Sequence, residues 1–139
     1  MLIRTLIAAI LFAICANGLS AQTYKTRLAP VALDGAMKKD VAGVGSATAT
    51  LSGNKLTLNG TFDGLKSNAT MAHIHQGSTT GVRGPKVLDL SVSKAMNGNI
   101  SGSFDLTPEQ VESLKKGKWY VQIHSEKAPD GNLWGWLLP

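Results

Sequence analysis

Apolar and polar residues alternate along most of the chain after residue 22, which is the period-two pattern of half-buried β-strands. Short runs rich in glycine, asparagine and serine separate these segments and favour turns. The predicted strands cover residues 23–28, 46–51, 55–62, 71–75, 87–92, 100–106, 119–124 and 133–138. The pattern predicts loops at residues 33–45 and 76–85, the second of which is rich in glycine.

One segment departs from the alternation and has the signature of a short helix. Thr107 is a typical N-cap residue, Pro108 suits the first helical position, and Gln110 completes a capping box. Gly117 is the predicted end, which leaves room for about two to three turns. Many short strands with one short helix predict an all-β domain, an antiparallel sandwich or barrel.

The first 21 residues have the pattern of a secretory signal peptide. Arg4 precedes an apolar run at residues 6–16, and that run is too short to span ~30 Å of bilayer as a helix. We therefore expect a single exported domain at residues 22–139, periplasmic or extracellular, with no integral membrane segment. Lipid attachment at Cys15 is the alternative, but Ile14 stands where lipoprotein signals usually have a small residue.

Cysteine and charge limit the chemistry of the exported domain. Cys15 is the one cysteine of the chain, so the domain has no disulfide, and nitrogen and oxygen are the expected ligands of any metal. The formal net charge is +5, but the lysines are scattered. This pattern is typical of a solvated surface, and we predict no nucleic-acid partner.

The three histidines of the chain lie in two predicted strands, His73 and His75 in the fourth and His124 in the seventh. Alternate side chains of a strand point to opposite faces, so His73 and His75 share one face and Ile74 points to the other. His124 is likewise opposite in direction to Ile123. If both isoleucines enter the core and the strands are neighbours, the three imidazoles meet on the outer face, under the glycine-rich loop.

Two histidines separated by one residue on a strand have roots about 7 Å apart, which lets both rings reach one ion at ~2.0–2.1 Å. Three neutral imidazoles with an open position suit Cu(II) or Zn(II). We therefore predict His73, His75 and His124 as metal ligands. The alternative is a structural role, in which the rings are hydrogen bonded to the covering loop. Near His124, Glu126 and Asp130 either orient the imidazole or lie on an ordinary surface turn.

Several motifs along the chain form a recognisable set. They are Ala72-His73-Ile74-His75-Gln76-Gly77, Gly84-Pro85-Lys86-Val87, Gly102-Ser103-Phe104, Tyr120-Val121-Gln122-Ile123-His124-Ser125-Glu126 and Pro129-Asp130-Gly131. In this order they resemble the CHRD domain, a family named for its occurrence in chordin. The similarity covers about residues 24–138.

The resemblance implies an immunoglobulin-like β-barrel with a distant likeness to copper–zinc superoxide dismutase. It assigns His73 and His75 to the family's paired histidines and His124 to its later histidine motif. Dismutase activity does not follow, because that enzyme needs further histidines and this chain has three. After the Pro-Asp-Gly turn the family typically has Ile-Arg-Gly-Gln, where this chain has the segment Leu133-Trp134-Gly135-Trp136.

No nucleophile elbow, phosphate-binding loop or zinc-protease motif occurs in the sequence, so we predict no enzymatic activity. The prediction is an exported, non-enzymatic CHRD-domain protein that binds a copper or zinc ion through three histidines. The alternative is a metal-free extracellular interaction module with a protein partner.

Overall fold

The computed structural model describes residues 20–32 and 34–139. The strands there are β1 (Gln22–Pro30), β2 (Val44–Ser52), β3 (Lys55–Asp63), β4 (Ala69–Gln76), β5 (Lys86–Val92), β6 (Gly98–Asp105), β7 (Trp119–Ser125) and β8 (Leu133–Trp136). A 3-10 helix spans Met37–Lys39, and the α-helix α1 spans Pro108–Lys115. The predicted signal peptide lies outside the described residues except for Ser20 and Ala21, so it stays a prediction.

The eight strands form one closed antiparallel barrel in the order β1-β2-β3-β6-β5-β4-β7-β8. The first and last strands close it, with Ala29 paired to Trp134 and Pro30 to Leu133. In this closed order each strand has a hydrogen-bonded neighbour on both sides, an arrangement that protects a small β-domain from pairing with other chains. The prediction of an all-β antiparallel fold with one short helix is confirmed, and the barrel is the form that the sheet takes.

The alternation in the sequence correctly predicts which side chains fill the barrel. On β7, Trp119, Val121 and Ile123 are fully buried, and on β4 Ile74 is buried with Ala72 beside it. Burying a large apolar side chain contributes about 1.5–3 kcal/mol. The inward residues therefore determine which face of each strand is left for chemistry.

The predicted helix and its cap are confirmed. The Thr107 hydroxyl accepts from the Gln110 N–H at 3.2 Å, and the Gln110 side chain accepts from the Thr107 N–H at 3.0 Å. Gly117 adopts φ 71° just after the helix, a conformation that favours glycine. No helix of the described residues is long and apolar enough to cross a bilayer.

Some predicted boundaries were wrong. The segment predicted as a loop at residues 33–45 contains the 3-10 helix, and β2 begins inside it at Val44. The last strand ends at Trp136, two residues early, although the Leu137 N–H still donates to the Trp119 carbonyl at 3.0 Å. Element ends depend on pairing partners, which local alternation does not specify.

Candidate metal centre

Strands β4 and β7 are neighbours, and their register brings the three histidines together. Met71 pairs with His124 and His75 pairs with Tyr120 across the two strands. The ring centroid of His73 lies 5.5 Å from that of His75 and 5.0 Å from that of His124. The remaining pair, His75 and His124, is 6.0 Å apart. The three histidines therefore cluster on the outer face of the barrel, as the sequence predicted.

Each imidazole has one ring nitrogen that finds no partner among the described residues. His73 Nδ1, His75 Nε2 and His124 Nε2 are all shielded from solvent, and within residues 20–32 and 34–139 none has a hydrogen-bond partner. One ring nitrogen from each histidine lies within 4.8 Å of the others. Leaving a buried polar atom unpaired costs about 1–3 kcal/mol, so three such atoms at one place require an explanation.

The opposite nitrogens of two rings are held by backbone carbonyls. His75 Nδ1–H donates to the Gly84 carbonyl at 2.9 Å, and His124 Nδ1–H donates to the Pro129 carbonyl at 2.8 Å. With the proton held on Nδ1, the lone pair of each ring is on Nε2. Such contacts orient metal-binding histidines in proteins, and they set the tautomer that a metal requires.

The third ring has a carboxylate beside it. Asp89, on β5, pairs across the sheet with His73, and its Oδ1 lies 3.5 Å from His73 Nε2. This is an electrostatic contact longer than an ordinary hydrogen bond. Lys86 Nζ donates to the same carboxylate oxygen at 2.9 Å. Sequence reasoning missed Asp89, and its outward position between two leucines in β5 was the available signal.

The loop between β4 and β5 covers the histidines through Gly84. The Tyr120 hydroxyl accepts from the Gly84 N–H at 3.0 Å and donates to the Gly84 carbonyl at 3.1 Å. A Cβ at Gly84 would lie 1.7 Å from the Gln76 carbonyl oxygen, so only glycine fits there. The Tyr120 ring stacks on His75, with centroids 5.0 Å apart and planes 16° apart. Glycine in this loop thus allows the close approach that buries the rings.

The two tryptophans of β8 pack against Tyr120. The Trp136 ring lies 4.6 Å from Tyr120, the Trp134 ring lies 5.6 Å from it, and the guanidinium of Arg83 is 5.3 Å above Trp134. They therefore pack beside the histidine cluster, on the side that faces away from β5.

Glu126 and Asp130 lie on an ordinary surface turn, which is one of the two roles considered for them from the sequence. Both residues are exposed, and within residues 20–32 and 34–139 neither carboxylate is bonded to His124. The backbone carbonyl of Asp130 instead accepts from Gln122 Nε2 at 2.9 Å. The turn contacts the histidine cluster through the Pro129 carbonyl rather than through a carboxylate.

Burial keeps the His73 and His75 imidazoles neutral. It is the main cause that lowers the pKa of His73 to about 4, and His124, His75 and Lys86 lower it further, while Asp89 acts in the opposite direction. Burial also lowers the pKa of His75, against the Gly84 carbonyl, which raises it. Both rings are therefore neutral at pH 7, the state in which an imidazole binds a metal.

The donor set is compatible with a late first-row metal ion. Ligands of a tetrahedral ion at ~2.0–2.1 Å lie about 3.3 Å from one another, so small rotations of the rings would be enough. Three imidazoles suit zinc or copper, and they leave a position for another ligand.

Comparison with known proteins gives one match. The family model of the CHRD domain matches residues 29–137, which is nearly the whole chain. No curated protein and no solved structure matches it. The matched segment includes all three histidines and every strand from β2 to β8. The chain therefore belongs to the CHRD domain family.

Proposed function

We propose that this CHRD domain is an exported, non-enzymatic protein that binds one copper or zinc ion through His73, His75 and His124. The observation that carries the proposal is the set of three buried imidazole nitrogens without partners at one place. A metal ion would give all three a partner at once, whereas hydrogen bonding among lone pairs is impossible without protons.

The surroundings of the rings support the same conclusion. Each of the three opposite nitrogens faces an oxygen, from Gly84, Pro129 or Asp89. An ion held by the three rings would supply Lewis acidity or, if it is copper, one-electron chemistry. The chain's own residues orient the rings, and burial keeps His73 and His75 neutral. Membership of a family of extracellular and periplasmic modules supports an exported location.

Calorimetric titration tests the proposal. The chelator-stripped protein is titrated with Cu(II) and with Zn(II), beside the double variant His73→Ala, His75→Ala and the control Thr79→Ala, an exposed residue of the covering loop. We expect binding of one ion per chain to the protein and the control, and none above background to the double variant. Equal binding by all three proteins would refute the histidine site.

A metal-free module is the second candidate, and one observation favours it. His75 and His124 each anchor a loop carbonyl, so the rings have a structural role even without an ion. Absence of binding by the folded protein would select this function. A protein partner retained in the presence of a chelator would then be the expected finding.

A further inference from the structure

Three histidine ligands leave a coordination position for a further ligand, and Met71 lies beside two of the histidines. Outward positions of β4 alternate with inward ones, so Met71, His73 and His75 follow one another on the outer face. Met71 is also the direct cross-strand partner of His124. It is therefore adjacent to one histidine along its own strand and to another across the sheet.

The side chain of Met71 is partly exposed to solvent. It is 47% exposed, on the outer face, while its neighbours Ala72 and Ile74 fill the barrel. Directly opposed residues of an antiparallel pair have Cβ atoms about 4.5–5.5 Å apart, and residues two apart on a strand about 7 Å. Methionine has three flexible side-chain bonds, so its sulfur can reach the cluster from this position.

A surface groove lies on the same side as Met71 and His73. A surface groove of about 400 Å³ is lined by Met71 and His73 together with Asp89 and Lys86. On the opposite side, Tyr120 stacks on His75 and closes the cluster. Met71 and His73 therefore line the same solvent-exposed groove.

The charge of the ligand set distinguishes between metals. Three neutral imidazoles and a thioether contribute no negative charge, and the nearby Asp89 is already paired with Lys86. Burying a doubly charged ion in such surroundings costs more than burying a singly charged one, because the desolvation cost rises steeply with charge. A thioether is moreover a soft ligand that favours Cu(I) over Zn(II) and Cu(II).

We propose that the Met71 thioether completes the site and makes it selective for Cu(I). This inference rests on the proposed metal site, and it adds a sulfur ligand to the nitrogen and oxygen ligands expected from the sequence. The chain has four methionines, and the two others among the described residues lie elsewhere, Met37 in the 3-10 helix and Met96 between β5 and β6.

Competition against a coloured Cu(I) chelator, without oxygen, tests the selectivity. The proteins are the full chain, Met71→Leu, which keeps the size but removes the sulfur, and the control Met96→Leu, whose residue is 52% exposed. We expect Met71→Leu to lose at least about tenfold in Cu(I) affinity, with Zn(II) affinity changed less than about twofold. Met96→Leu should bind both ions as the unchanged protein does.

X-ray absorption of the Cu(I) form gives a second readout. We expect a sulfur neighbour of copper at ~2.3 Å in the protein and in Met96→Leu, and nitrogen neighbours alone in Met71→Leu. Cu(I) affinity and sulfur signal that do not depend on Met71 would overturn the inference and leave the histidine site intact. Failure of the unchanged, folded protein to bind Cu(I), Cu(II) or Zn(II) would overturn both proposals.

Discussion

Acid should destabilise the metal-free protein through His73. The pKa of this imidazole is lowered from 6.5 to about 4 in the folded chain, chiefly by burial. Between these two pH values the unfolded chain binds a proton that the folded chain does not. Stability therefore falls as the pH decreases from about 6.5 towards 4, and this contribution does not change above about pH 6.5.

The structure sets the size of the effect. One pKa unit corresponds to about 1.4 kcal/mol, so a decrease from 6.5 to about 4 gives an upper limit of ~3.5 kcal/mol. The His73 side chain is 12% exposed, and partial contact with water reduces the cost of charging it. We expect His73 to account for about 2 kcal/mol of the stability lost between pH 7 and pH 4.

Urea unfolding followed by tryptophan fluorescence, at several pH values with a chelator present, measures this contribution. The comparison is with His73→Gln, which has similar polarity but does not titrate. The stability difference between the protein and this variant should shrink by about 2 kcal/mol from pH 7 to pH 4. A control variant at an exposed position of β3, Thr57→Ala, should differ from the protein by a constant amount. Parallel pH curves for the protein and His73→Gln would refute the argument that burial prevents protonation.

Two further substitutions test the surroundings of the site. Asp89→Asn should lower the affinity for the bound ion about tenfold, because Asp89 acts by orienting His73. The thermal midpoint of the metal-free protein should not change, since Asp89 is exposed. Calorimetry and thermal unfolding measure the two quantities, and an unchanged affinity would exclude the orienting role. Gly84→Ala should destabilise the protein by about 1–3 kcal/mol, since the added Cβ would overlap the Gln76 carbonyl. The control is Gly35→Ala, where an added Cβ meets open space. Urea unfolding compares the two variants, and equal stabilities would contradict the close packing of the loop.

The covering of the histidines was only half predictable. Sequence reasoning expected the glycine-rich loop before Pro85 to lie over the rings, and Gly84 does so. For the turn that contains Pro129, sequence reasoning left two roles open for Glu126 and Asp130, orientation of His124 or an ordinary surface turn. The two carboxylates lie on the surface, and the contact to His124 is made by the Pro129 carbonyl, which was not predicted. Backbone carbonyls are present at every residue, so no residue type in the sequence marks the one that is used.

The contact between Asp89 and His73 was likewise not predictable from the sequence. The distance between the two residues depends on a register between β4 and β5, which are joined by a nine-residue connection between Gln76 and Lys86. A two-residue hairpin turn specifies its register, as at residues 53–54, whereas a long loop does not. The contact therefore follows from the assembled sheet alone.

What the sequence determined by itself is local. Side chains alternate between the two faces of any strand, so the inward direction of Ile74 and Ile123 dictated that His73, His75 and His124 point outwards. The helix cap at Thr107 is local in the same sense, because its partners are three residues apart. These features need no knowledge of the rest of the chain.

Tertiary structure decided which strands are neighbours. The pairing of β4 with β7, about 50 residues apart, puts His124 beside the other two histidines and beside Met71. Strand order follows from closing the barrel and filling its interior as a whole, and many orders are compatible with the same alternation. A pattern along one strand determines a face, but only the packed barrel determines which faces meet.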